Sequence, residues 1–449
     1  MSAMESMPVT VQEKPLFERV LFMLKQPYHL ALAFLGALFC GFPSRKLRVI
    51  AVTGTKGKST VVELVSAVLD EAGFKTASAS TIQFKIGAER ERNMYKMTMP
   101  GRFFLQKFLK RAAKAGCAVA VVEMTSEGAR QHRHTFVELD ALIFTNLSPE
   151  HLESHGSYEK YVAAKVSLAR ALGRSKKPHK VLVVNGDDKE APKFSAAFSG
   201  ETHAFSKADV KGEVVTADGV SFNWDGVRIE SKLPGEFNLY NILAAATFGR
   251  AFGIPADRIS SAIAKVAIVP GRAQKIELGP EEVRQNPAVA GKQDFTVIVD
   301  YAHTPDSLEK FYATYAGKFK ICVLGATGGG RDKWKRPVMA ATAEKYCDEV
   351  ILTNDDPYDE DPESIIREMA AGMRAKQPTL LVDRRAAIRT ALEKAGKGDA
   401  VLITGKGTDP FLMGPHGQKE PWDDATVVRE ELVALFRNKE SGGAAPSTR

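Results

Sequence analysis

Short, unbroken apolar runs alternate with longer amphipathic stretches along most of this chain. Val49, Ile50, Ala51 and Val52 form the first such run. Runs of this length with no polar member suit strands buried on both faces of a parallel sheet. Those inside 117–126, 141–148 and 180–188 have the same character. Between them, residues 58–71 and 157–173 space their apolar side chains for helices. Such alternation predicts βα units around a mainly parallel sheet. Residues 200–232 break the rhythm: "EVVTADGVSFNWDGVRIES" is strand-like and punctuated by Gly, and predicts an antiparallel insert. Residues 238–253 then read as a helix stopped by Gly253.

At "VPGRAQ", 269–274, Pro and Gly interrupt the helical text. A new series of apolar runs follows, in 295–302, 320–328, 349–356, 379–383 and 400–407, with helical stretches between them. This predicts a second, smaller Rossmann-like unit. "GATGGGRD", 325–332, is a Gly-rich loop at a strand end but lacks the G-x-G-x-x-G spacing. The domain expectation is a reduced N-terminal segment over 1–46, a central domain over 47–269 and a C-terminal domain over 270–437. The low-complexity tail 438–449 is expected to be disordered. No internal repeat is visible.

The first apolar run leads into "TGTKGKST", residues 53–60. Gly54 and Gly57 let the backbone turn sharply, and the helix that follows presents N–H groups and a positive dipole end to an anion. Thr55, Lys56 and Thr60 complete the loop. Lys58 would neutralise phosphate oxygens and the Ser59 hydroxyl would ligate Mg2+. Only G-K-S of the usual G-x-x-x-x-G-K-[ST] pattern is present, because Val52 stands where its first Gly belongs. The fold class expected is α/β: a central P-loop parallel-sheet ATPase domain, then the smaller Rossmann-like domain.

Composition changes this picture little. The 449 residues are 44% hydrophobic and 26% charged, too long a chain for one core and ordinary for a soluble protein. The net charge of +8 is scattered. Anionic small substrates account for it, and no nucleic acid is expected as partner. Cys40, Cys117, Cys322 and Cys347 lie far apart and read as reduced thiols of a cytoplasmic protein. One segment stands out: "LALAFLGALFCGF", 30–42, has no charge and is too short to span a bilayer. It reads either as a helix packed on the body of the protein or as a peripheral contact with the inner membrane surface, with Arg45, Lys46 and Arg48 close behind.

Several polar residues sit just past strand ends, where open α/β sheets place ligands. Glu123 closes "VAVVE", His151 follows "FTNLSPE", and Lys165 lies on the next helix. Singly each has a structural explanation. Together with "VVEMTSEGARQHR", "LPGEFNLYNILAAA", "VPGR", "VDYAHTPDSLE", "GGGRDKWKRPVMA", "LTNDDPYDEDPESI" and "LITGKG", in this order, they resemble the Mur ligase family, and within it the members that add the third peptide residue. The resemblance spans about 47–435. It implies an ATP- and Mg2+-dependent ligase that phosphorylates the terminal carboxylate of a muramyl-peptide precursor and lets an amine displace the phosphate. It further implies that Gly57, Lys58, Ser59 and Thr60 hold phosphate, and that Ser59, Glu123, His151 and a carbamylated Lys165 hold metal. Asn238 and Asn241 would lie near the adenine, and Arg272, Asp300 and Tyr301 near phosphate and ribose. Thr125, Ser126, Arg133, His303, Asp355, Asp356, Tyr358, Lys406 and Asp409 would meet the substrates.

The chain departs from the family pattern in three places. Lys56 replaces an Asn. Asp355-Asp356-Pro357-Tyr358 replaces D-N-P-R, the signature of members that add meso-diaminopimelate, so the arginine for a distal carboxylate is missing. A pocket with Asp356 and Asp409 suits a cationic side-chain end such as lysine. The segment before the first strand is shorter than the family's UDP-binding domain. The acceptor is then a UDP-muramyl peptide, or a lipid-linked or other polyacid chain; a non-catalytic nucleotide-binding module is the rival from another class. A monomer is expected.

Overall fold

The structure is a computed structural model that describes residues 16–150, 152–330 and 333–440. The chain divides into two compact units. The first holds the residues up to Gly212 with Phe222–Ile229 and Leu239–Lys265, and the second holds Glu213–Ser221, Glu230–Asn238 and the residues from Val266 on.

The first unit is built on an eight-stranded sheet. Its strands are β1 (Arg48–Thr53), β2 (Thr76–Ala79), β3 (Gln83–Ile86), β4 (Glu89–Arg92), β5 (Val119–Glu123), β6 (Ala141–Phe144), β7 (Val181–Asn185) and β8 (Glu201–Phe205), in the order β4-β3-β2-β5-β1-β6-β7-β8. β1 lies between β5 and β6, parallel to both, with Val52 beside Glu123 and Ile143. The expected buried runs are thus its centre, and their C-terminal ends finish level with one another. Helix α1 (Leu16–Cys40) runs through Pro27, α2 (Lys58–Glu71) follows β1, and α3 (Arg102–Lys114) precedes β5. Val49, Ala51, Val122, Leu142 and Phe144 pack with Leu105, Leu109, Val166 and Leu172 in one apolar core.

One expectation is corrected here. Residues 201–205, assigned with the antiparallel insert, form the parallel edge strand beside β7. They escape the buried-run pattern because an edge strand keeps polar, exposed positions. The insert proper is the three-stranded sheet of β9 (Lys211–Val215), β10 (Val220–Trp224) and β11 (Val227–Ser231), in the order β11-β10-β9.

The second unit holds β12 (Gln274–Lys275), β13 (Thr296–Asp300), β14 (Lys320–Ala326), β15 (Glu349–Asn354), β16 (Thr379–Leu381) and β17 (Ala400–Thr404), in the order β12-β13-β17-β14-β15-β16. All neighbours are parallel except β12 with β13. Successive side chains alternate between faces. Ile298, Cys322, Leu324, Leu352 and Leu402 therefore join one core with Leu308, Phe311 and Met339. Val297, Val299, Val323, Ile351 and Ile403 join another with Ile388, Leu392 and Val428. A two-stranded ribbon, β18 (Phe411–Met413) and β19 (Lys419–Pro421), follows.

The cysteine expectation also changes. Cys322 and Cys347 form a disulfide across a Cα–Cα distance of 6.1 Å, while Cys40 and Cys117 are buried free thiols. Cys347 lies just before β15, and β14 pairs with β15 through Cys322 and Val350, so strand pairing brings together two residues 25 positions apart. The last helix, Asp424–Glu440, also takes in the first residues of the tail expected to be disordered; 441–449 lie outside the described residues.

Candidate active site

The loop after β1 is held from behind by the stretch after β6. Thr55 N donates to Asn146 O (2.8 Å), Lys56 N to Asn146 Oδ1 (2.9 Å), and Thr145 Oγ1 to Lys56 O (2.7 Å). The Thr55 hydroxyl bonds the Tyr161 hydroxyl (2.8 Å). Gly57 precedes α2 with φ +83°, and no side chain caps the helix. That is the arrangement of an anion-binding helix N-terminus. Only Gly fits at 57: besides the left-handed φ, a Cβ there would run into the side-chain amide of buried Asn241. Ser59 and Thr60 are buried in the first turn. Lys58 Nζ donates to Thr55 O (2.8 Å), folded over its own loop. Lys56 does not simply add charge for phosphate, since its ammonium pairs with Glu150 at 2.9 Å.

Glu123 is buried at the end of β5. Its Oε2 accepts from Thr81 N (3.1 Å) and Thr81 Oγ1 (2.6 Å). Its Oε1 has no hydrogen-bond partner among the described residues. A buried carboxylate oxygen left without a donor is costly unless a cation meets it. Lys165, on the helix Tyr158–Arg174, is buried, and its Nζ donates to Gly54 O (2.7 Å). Burial first, then the nearby Lys58 charge, holds its pKa well below the ordinary lysine range. Gly54, Lys58, Ser59, Glu123, Lys165 and Asn241 thus belong to one neighbourhood of the first unit. The orphaned Glu123 oxygen and the Ser59 hydroxyl are hard oxygen donors of the kind that suits Mg2+. No group of three or more His, Cys, Asp or Glu side chains that could hold a metal occurs among the described residues. His151 lies outside the described residues.

Thr125, Ser126 and Arg133 follow β5 in the chain. Thr125 caps the short helix Ser126–Arg130, accepting from Gly128 N (3.0 Å). The Ser126 hydroxyl meets Nε2 of buried His155 (3.1 Å). Arg133 donates to Met99 O and to Gln131 Oε1. Asn238 Nδ2 donates to Pro234 O (2.8 Å) at the start of the helix Glu236–Ala251.

In the second unit, the turn 269–274, the end of β13 and the loop after β17 come together. Asp300 accepts from Ala273 N and Ala302 N, each at 2.6 Å. The Arg272 guanidinium lies over the Tyr301 ring, 4.4 Å from its centroid. His303 contacts the same ring and bonds Tyr301 O (2.6 Å). Gly407 backs against Gly271 O and Tyr301.

Beside this lies a charge cluster that corrects the expected pocket. Asp356 and Asp409 do not stand open for an incoming ammonium. Fully buried Lys406 reaches Asp356 (2.8 Å), Asp409 (3.3 Å), Asp355 (3.6 Å) and Phe411 O (2.7 Å). Burial opposes its charge, but Asp355, Asp409 and Asp356 outweigh it and raise the Lys406 pKa. Burial raises that of Asp355. The other buried cation here, Arg384, is engaged by Asp424 (2.7 Å). Tyr358 has φ +53°, and its ring faces Gly329 of the Gly-rich loop.

Sequence reasoning missed Thr81, Asn146, Glu150 and His155. Thr81 follows the end of β2, so position past a strand end was a usable signal for it. His155 carries no such mark.

Comparison with known proteins shows the family. The Mur ligase middle-domain model matches residues 52–249, and the model of the Mur ligase glutamate ligase domain matches 286–407. The chain is 37% identical to a UDP-N-acetylmuramyl-tripeptide synthetase of a Roseiflexus species, over 90% of this chain and 82% of that protein. It is 34% identical to a UDP-N-acetylmuramoyl-L-alanyl-D-glutamate–2,6-diaminopimelate ligase of Bacillus cereus, over 98% and 89%. A solved structure of a ligase of the latter name superposes with TM-score 0.58 at 29% identity, covering 87% of this chain and 79% of that one. Folylpolyglutamate synthase of Mycobacterium tuberculosis, at 18% identity, shares the fold with TM-score 0.68 over 93% and 96%. With both domain models matched and relatives 37% and 34% identical along most of the chain, the chain belongs to the Mur ligase family, whose members are ATP-dependent ligases that add amino acids to muramyl-peptide precursors in peptidoglycan synthesis.

Proposed function

We propose that this ligase adds the third peptide residue to a UDP-muramoyl dipeptide, that it takes lysine as the amine, and that it works as a cytoplasmic monomer. The observation that carries the ligase reading is the loop 54–60 beside the orphaned Glu123 oxygen. Lys58 and the N-terminus of α2 neutralise the β- and γ-phosphates as charge moves onto them. Ser59, Glu123 and a carbamylated Lys165, with His151, would hold Mg2+, which would supply Lewis-acid polarisation of the phosphates. Asn241 fixes the loop at Gly57, and Asn238 lies near the adenine. Thr125, Ser126 and Arg133 meet the acceptor, while Arg272, Asp300 and His303 line the nucleotide and amino-acid side of the second unit. The acceptor carboxylate oxygen attacks the γ-phosphorus and ADP leaves; the amine nitrogen then attacks the acyl carbon and phosphate leaves with that oxygen.

Lysine is favoured by Tyr358, which stands where the diaminopimelate-adding members carry an arginine and offers no guanidinium to a distal carboxylate. Peripheral contact with a membrane through residues 30–42 is a separate matter of the exposed face of α1. The test is the purified protein with ATP, a UDP-muramoyl dipeptide and each amino acid in turn, read by mass spectrometry. A lysyl product at least tenfold over the diaminopimelyl product is expected, with Tyr358→Arg moving the ratio at least tenfold the other way. Preference of the wild type for meso-diaminopimelate refutes the lysine assignment but not the ligase reading.

A further inference from the structure

One face of α1 is apolar and turned to solvent. Leu24, Tyr28, Leu35, Leu38 and Phe39 are between 39% and 71% exposed. With exposed Ala31, the positions 24, 28, 31, 35 and 38 follow the spacing of a single helical stripe. The opposite face is the packed one: Ala33, Ala37 and Cys40 are buried, and Gly36 lies against Phe103 of α3. The rim is basic. Lys25 is exposed near one end of the stripe, and Arg45 and Lys46 are exposed just past the other. Lys110 of α3 reaches the Phe39 carbonyl (3.2 Å). No Asp or Glu occurs between Arg19 and Val62. Glu138 stands beside Ser44, and its carboxylate accepts from Lys176 N (2.7 Å).

We propose that this face docks the protein on an anionic lipid surface, with the stripe from Leu24 to Phe39 at the acyl boundary and Lys25, Arg45, Lys46 and Lys110 among the headgroups. An apolar helix face with a cationic border is the design of an interfacial helix. No helix among the described residues is long and apolar enough to cross a membrane, so the contact is peripheral. Charge selects this occupant over a second copy of the chain: a symmetric pairing of two α1 faces would bring basic rims together, and the nearest acid, Glu138, already accepts from Lys176 N. The inference is independent of which amino acid the enzyme adds.

The experiment is vesicle flotation of the full chain, with phosphatidylcholine alone and with phosphatidylcholine containing one-third phosphatidylglycerol. The protein floats with the anionic vesicles and stays behind with the neutral ones, and 0.5 M salt releases it. Arg45→Gln with Lys46→Gln lowers partitioning by on the order of twentyfold. Leu35→Gln with Leu38→Gln abolishes it, while circular dichroism and ADP binding stay those of the wild type. Equal flotation with neutral vesicles, no flotation at all, or insensitivity to the leucine pair overturns the proposal. So does a dimer in light scattering that the leucine pair dissolves, which would make the face a self-interface.

Discussion

Gly57→Ala perturbs the phosphate loop at the point where two independent constraints meet. The left-handed φ of +83° costs an L residue about 1–2 kcal/mol. The new Cβ also overlaps Asn241 Oδ1 and stands 3.2 Å from its Cγ. Restoring ordinary contact takes a shift of about 1 Å, and Asn241 is buried, so the loop itself must give. A misplacement of that size at a reacting centre costs on the order of a hundredfold in rate. Steady-state ligation should therefore fall about a hundredfold in kcat/KM, and calorimetry with ADP should show weakened binding. Thermal unfolding should drop by roughly 2–4 °C for each kcal/mol lost. Asn241→Ala in the same background removes the overlap but not the φ penalty, so it should recover part of the stability. Wild-type ADP affinity and rate in Gly57→Ala would refute the assignment of this loop to phosphate.

Three further outcomes follow from buried charge and from the disulfide. Lys165→Met should abolish ligation yet raise the melting temperature in CO2-free buffer. Because the folded-state lysine pKa is depressed, the unfolded wild type binds the extra proton below the ordinary lysine pKa, and wild-type stability should rise with pH in that window. Lys406→Met leaves buried Asp355 and Asp356, and partly buried Asp409, without their ammonium and should cost about 3–5 kcal/mol in urea unfolding at pH 7. The loss should shrink as pH falls through the raised folded-state pKa of Asp355. Reducing Cys322–Cys347, or Cys347→Ser, opens a loop of 25 residues and should cost about 3 kcal/mol by denaturant unfolding.

What could be read in advance follows the physics of burial. The runs at 49–52, 119–122, 141–144 and 297–299 are apolar because both sheet faces are covered, and a polar substitution in any of them would show. β8 was legible only as a strand, because its exposed edge tolerates Glu201 and His203 and so hides its parallel pairing. The loop 54–57 was legible because Gly, Lys and Ser must occur in that order to meet phosphate. The Lys406 cluster was not. Asp356 and Asp409 were visible as charges, but which cation satisfies them depends on Lys406 turning inward after β17, and spacing along a chain carries no such direction. The same holds for Lys56, which turns to Glu150, and for Cys322 and Cys347, joined only by the pairing of β14 with β15.

The acyl-phosphate route through Lys58, Glu123 and Lys165 is tested most directly by following one oxygen atom. The acceptor is prepared with its terminal carboxylate labelled with oxygen-18, and the phosphate released during ligation is analysed by mass spectrometry. The account predicts that each phosphate formed with a new amide bond carries one labelled oxygen, that ADP is the other product, and that Lys58→Ala forms neither. Unlabelled phosphate at wild-type rates of amide formation, or release of AMP in place of ADP, would contradict it.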